Sequence, residues 1–134
     1  MAGTCPNNLQ EQIKKHITKL ATYTPSTTLY AALMVSDSTD AAPGTECSDS
    51  GYTRQAVTLA SLFADNGQGS VKLNTTIDWG AAAVQYVVHA VEFFDAASSG
   101  NRALPYIPQS PNVTIPINEY FELPAGTTVN FGVS

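Results

Sequence analysis

The side chains in this chain that could do chemistry are few and scattered. His16 and His89 are the only imidazoles, and neither has a second ligand at metal-binding spacing. Asp78 lies beside the single tryptophan, Trp79. That pair reads either as a carboxyl in an apolar pocket with a raised pKa or as a turn aspartate opening a strand. Glu92 sits inside an apolar run and calls for a cation, with Arg54 and Arg102 as candidates; acid catalysis would need a second carboxylate at a fixed distance. Asp37, Asp40, Glu46 and Asp49 crowd one polar stretch and could gather Ca²⁺, yet their spacing matches no EF-hand loop and a solvated acidic loop fits as well. There is no Gly-x-Ser-x-Gly elbow and no Cys-His arrangement to make a nucleophile. Gly67 and Gly69 lack the strand, glycine loop and helix of a phosphate cradle, and the Asn74-Thr-Thr and Asn112-Val-Thr acceptor patterns matter only in a eukaryotic secretory product. Cys5 and Cys47 are too few and too far apart for a zinc site; they either form one disulfide, tying the N-terminal arm to the loop near residue 47, or stay free thiols. No catalytic group, cofactor or metal is expected.

Length and charge narrow the class further. At 134 residues the chain is most simply one domain with one hydrophobic core. Charged residues make up 13 %, about half the usual share of roughly 25 %. They are also unevenly placed. Lys14, Lys15 and Lys19 lie in one short segment opposed only by Glu11, whereas Arg54, Lys72 and Arg102 face ten acids in the remainder. A basic N-terminal element on an acidic body repels phosphate, so no nucleic-acid partner is expected. The basic element suits either an acidic protein surface or plain solvent. The opening MAGTCPNN has neither the basic start nor the apolar core of a secretory signal, and no run reaches membrane-spanning length, so no membrane partner is expected.

The elements that must position these residues read as mainly β. Leu9, Ile13, Ile17 and Leu20 fall at helical spacing, with Asn8 as a cap and Glu11 completing a capping box; Glu11 and Lys15 form a favourable i,i+4 pair. Pro25 ends this arm. Leu29–Val35 reads as a strand, residues 36–50 as a polar working or flexible loop, and 51–59 as an alternating strand. A turn at 65–69 leads to an alternating strand over 70–77. The stretch from Asp78 to Leu104 is the centre, a hairpin whose first strand places Gln85, Val87, His89, Val91 and Phe93 on one face. The other face holds Tyr86, Val88, Ala90, Glu92 and Phe94, and both faces are mostly apolar. Pro105, Pro108 and Pro111 predict an extended segment that cannot sit inside a sheet, followed by a short edge strand over 113–117. Strands at 119–124 and 127–133 close the chain. The expectation is an arm over 1–27 and a β-sandwich or jelly-roll-like body over 28–134, with one short N-terminal α-helix.

Taken in order, several of these pieces carry a resemblance. A short helix leads to Thr28-Leu-Tyr-Ala-Ala-Leu33. A polar loop passes Gly44-Thr-Glu46 to Gly51-Tyr-Thr-Arg-Gln-Ala-Val57. Asp78-Trp-Gly80 and Phe94-Asp-Ala-Ala-Ser-Ser-Gly-Asn101 follow. The ordered set, from about Leu9 to Val133, resembles a family of small tailed-bacteriophage virion proteins, among them proteins labelled tail fibre proteins and the cement, or decoration, proteins of phage heads. The resemblance implies a structural virion component and no active site. Gly51, Gly80 and Gly100 would serve turns, Trp79 the core, and Arg54 would meet a carboxylate, with Glu46 or Asp78 as candidates.

The leading expectation is a cement protein on the capsid exterior, made in the bacterial host cytoplasm. It would bind the major capsid protein at capsomer junctions as a homo-oligomer, a trimer. Its gripping parts would be the helix (Leu9, Ile13, Lys14, Lys15, Ile17, Lys19, Leu20), the loop 36–50 and the Pro-rich segment (Pro105, Tyr106, Pro108). Contacts between copies would cover the second apolar face of the strand over 84–94. The alternative is a tail or tail-fibre component that attaches to the host. A third reading is a carbohydrate-binding or hydrolytic sandwich; an exposed Trp79 would favour sugar binding and a buried one would count against it.

Overall fold

The computed structural model describes residues 4–67 and 69–131. The chain begins with α1 (Asn7–Ile17), then β1 (Thr28–Met34), β2 (Gln55–Thr58), the single turn α2 (Leu59–Leu62), β3 (Phe63–Asp65), β4 (Ser70–Leu73) and β5 (Ile77–Asp78). β6 (Tyr86–Phe94), β7 (Ile107–Ile115), β8 (Glu122–Leu123) and β9 (Thr128–Asn130) complete it. All pairings among them are antiparallel and make three sheets: β2-β1-β6-β7, β3-β4-β9 and β5-β8. The fold is mainly β, with a β-sandwich-like body. One core joins the sheets, through Leu29, Leu33, Val91 and Phe93 from the first, Leu73 and Val129 from the second, and Ile77 and Leu123 from the third. Trp79 and Phe121 fill the middle, with ring centroids 5.6 Å apart, and the Trp79 indole donates to the Ala31 carbonyl at 3.2 Å. An indole buried this way keeps its one polar atom paired.

The helix departs from expectation at both ends. Pro6, fixed at φ −60°, occupies the N-cap, so the helix starts earlier and no side chain caps it. Asn8 is therefore one residue inside, and its amide donates instead to the Arg102 carbonyl at 2.8 Å. The helix closes at Thr18, and Lys19 turns left-handed at φ 65°, which leaves Leu20 beyond the last turn. Glu11 pairs with Lys15 at 3.7 Å as expected and more closely with Lys14 at 2.6 Å.

The strand at the centre also breaks its expected alternation. Tyr86 and Val88 face the core, but after an irregularity in pairing between Val88 and Ala90 the core-facing residues are Val91 and Phe93. A bulge of this kind shifts the phase by one residue and sends Ala90 and Phe94 to the opposite face. The Pro-rich segment is a correction too. Ile107–Ile115 is one nine-residue strand beside β6, containing Pro108 and Pro111. It is the outer strand of its sheet, where a missing N–H interrupts no second ladder. The strand expected over 51–59 shortens to Gln55–Thr58, and that over 70–77 divides into β4 and β5. The closing strand is Thr128–Asn130, while residues 132 and 133 of the expected span lie outside the described residues.

Candidate functional site

The four acids of the 36–50 loop do not converge: Asp37, Glu46 and Asp49 take separate partners, and Asp40 Oδ1 is buried without one among the described residues. Glu46 receives a two-pronged contact from Arg54, both bonds at 2.8 Å, and the Tyr52 hydroxyl donates to it at 2.5 Å. Burial pushes the Glu46 carboxyl up, but the Arg54 and Tyr52 hydrogen bonds outweigh it and hold the pKa below its ordinary value. Arg54 also donates to the carbonyls of Ala96 and Ser99 at 2.8 Å each and lies 4.1 Å over the Phe94 ring. Asp37 meets His89 at 2.8 Å. Asp49 accepts the backbone N–H groups of Gly51, Ala83 and Val84 at 2.8–2.9 Å, and these bonds lower its pKa. Among the described residues no group of three or more His, Cys, Asp or Glu is placed to hold a metal ion.

Arg102 makes the second clamp. It donates to Glu92 at 3.2 Å and to the Thr39 and Asp40 carbonyls at 2.5 and 3.4 Å, 5.5 Å from the Tyr106 ring centre. Glu92 is fully buried. Desolvation raises its pKa against the pull of Arg102 and the Ser38 hydroxyl, and its Oε2 is left without a partner of good hydrogen-bond geometry. The two arginines thus fasten the 36–50 loop and the 95–101 turn over the second face of β1 and β6. Ala32, Met34, Ala90 and Phe94 lie sealed beneath, with Tyr106 packed against them. The chain itself covers the doubly apolar strand, so contacts between copies are not needed there. The loop is held to the body at several points, with residues 41–43 exposed between them.

The residues expected to grip neighbours fall into three groups. Leu9 and Pro105 are buried within the chain and offer no surface. Ile13, Lys15 and Tyr106 are half-buried, and Pro108 is exposed on β7. Lys14, Ile17, Lys19 and Leu20 are exposed together at the end of α1, Ile17 at 69 % and Leu20 at 75 %. Cys5 and Cys47 are free thiols, Cys47 buried, so no bridge ties the arm to the loop. The arm is instead stitched to the body by backbone bonds from Asn7 to Asp40 and from Tyr106 to Thr4. Gly51 lies in the turn closed by the Tyr52 N–H on the Asp49 carbonyl at 3.0 Å, and both Gly51 and Gly80 serve a close approach: a Cβ on Gly51 would collide with the Ala81 carbonyl, and one on Gly80 would lie 2.6 Å from the Gly51 carbonyl. Gly100, at φ 81°, does serve a turn.

A further surface escaped sequence reasoning. The segments 78–84 and 117–122 run side by side, joined through Asp78 opposite Glu122, Trp79 to Phe121 and Ala82 to Glu119. Their inward residues are core, while Val84, Ile117 and Tyr120 stand exposed. Among the described residues no helix is long and apolar enough to cross a membrane.

The clamps, the uncovered helix end and the exposed Val84, Ile117 and Tyr120 are the features that stand out among the described residues. Residues 5–129 match the family model described as podophage GP4 fiber I protein gp80. The chain belongs to that family. It is therefore a member of a small phage virion protein family, and the structural class expected from the ordered motifs holds over nearly the whole chain. No curated protein matches the chain. The family match covers both arginine clamps, α1 and the 78–84/117–122 surface.

Proposed function

We propose that this chain is a non-enzymatic structural subunit of a phage fibre, held in place by protein neighbours. One observation carries the reading. Of the stripe Leu9, Ile13, Ile17 and Leu20, only Leu9 is buried and Ile13 partly covered. An eleven-residue helix is marginal in water by itself, so an uncovered stripe calls for a partner surface. The fibre name of the family supports the same reading.

A second reading is a cement protein that binds the major capsid protein from outside. The doubly clamped, sparsely charged body favours it, because a load-bearing shell component must resist deformation. The buried Trp79 counts against a sugar-binding platform built on that ring. Electron microscopy of intact virions with gold-tagged antibody to this chain separates the two. Label on the tail or its fibres supports the fibre reading; label spread over the head overturns it in favour of cement.

A further inference from the structure

Two exposed surfaces of this chain each carry uncovered apolar side chains and are opposite in charge. The first is the end of α1, where Ile17 and Leu20 are uncovered beside Lys14, Lys15 and Lys19. Glu11 pairs with Lys14 and Lys15, and among the described residues Lys19 has no ion-pair partner. The second is the outer face of 78–84 and 117–122. Val84 is 68 % exposed, Ile117 58 % and Tyr120 51 %. Its rim is acidic: Asp78, Glu119 and Glu122 are all exposed, and among the described residues none has a cationic partner. Asp78 and Glu122 are direct cross-strand neighbours, an arrangement of like charges that opposes sheet pairing until a cation arrives.

We propose that the end of α1 of one copy docks on the Val84, Ile117 and Tyr120 patch of a second copy, its lysines facing Asp78, Glu119 and Glu122. Charge complementarity selects a second copy as the occupant. The body carries the excess of acids and the helix the excess of bases, so each copy supplies what the other lacks. The contact joins two different patches, so it is heterologous and builds a closed ring or an open chain of copies rather than a two-fold dimer. It deepens the reading of a fibre subunit, but its test uses the purified chain and stands apart from virion labelling.

The test is sedimentation of the full chain across concentration and salt. The expected result is association that weakens as salt rises. The chain has a net charge of −5, so association through any contact without this complementarity would strengthen as salt screens the general repulsion. The decisive variant reverses the rim, Asp78→Lys, Glu119→Lys and Glu122→Lys. It moves the net charge from −5 to +1, easing general repulsion, yet it should weaken association about tenfold or more. Lys14→Glu, Lys15→Glu and Lys19→Glu should do the same, and combining both sets in one chain should restore assembly. Mixing the two single-surface variants should also restore assembly, with the two chains alternating in equal numbers, since each helix end then meets a rim of opposite charge on the other variant. Far-UV circular dichroism confirms that each variant is folded. A wild-type chain that stays monomeric at every concentration, association strengthened by salt, or assembly indifferent to the rim reversal would overturn the proposal. None of those results would alter where antibody labels the virion.

Discussion

Arg54 and Arg102 are the residues on which the closure of the second face depends. Arg102 faces a fully buried Glu92, so Arg102→Met strands a charge in the interior and should cost about 3–5 kcal/mol in urea unfolding. Changing Glu92→Gln in the same chain should recover part of that loss. An unchanged midpoint for Arg102→Met would mean that water reaches Glu92. Trp79→Ala removes a buried ring stacked against Phe121 and should cost roughly 3–5 kcal/mol. Both partner choices for the arginines were among the sequence alternatives, because a guanidinium or carboxylate in an apolar strand must be paired. Choosing Glu46 over Asp78 for Arg54 required coordinates.

Among elements, α1 and β6 show how a good pattern is read differently by its surroundings. The helical spacing was legible from residue 9, but Pro6 set the start and the left-handed Lys19 set the end. Leu9 is the one buried residue of α1. Leu9→Ala should therefore release the helix while leaving the sheets intact. The expected measurement is faster amide exchange over 7–17 with little change in β1 and β6. Uniformly faster exchange would show that the arm and body unfold as one unit. For β6, periodicity gave the right residues and half the faces; the phase shift near His89 depends on how β7 pairs across it. Gly51→Ala should destabilise the crossing with the 80–81 segment, because the Ala81 carbonyl occupies the space of a Cβ. A wild-type thermal midpoint in that variant would mean the two segments move apart freely.

At the scale of the whole molecule, pH reports on the clamps together. The folded pKa values of Asp49 and Glu46 lie below their ordinary values of 3.8 and 4.5. Each therefore contributes stability that is fully present above its ordinary value and lost as pH falls through its folded value. Glu92 has the opposite sign. Its raised folded pKa means that stability falls as pH rises from 4.5 through the folded value. Urea midpoints measured from pH 7 downward should thus show an acid-side loss beginning near pH 4. Asp49→Asn should be less stable than the wild type at neutral pH, and the gap should close at the acid end. A gap that stays constant across that range would mean the carboxylate charge is not what holds the Gly51, Ala83 and Val84 amides.

The sequence by itself determined the mainly β class, the short basic helix and the family, because these rest on local periodicity, turn residues and the order of motifs. It also showed that Glu92, Arg54 and Arg102 needed partners, since a buried charge must be compensated wherever it lies. Only the tertiary structure decided which partners they take, because pairing joins residues such as Arg102 and Thr39, 63 positions apart. It likewise decided that the second apolar face is sealed by the chain's own loop. Apolar residues on both sides of a strand record that each side is covered, but the pattern is the same whether the cover is another copy or the same chain. The acidic, aromatic surface over 78–84 and 117–122 is legible only in three dimensions, because two segments more than thirty residues apart each contribute half of it.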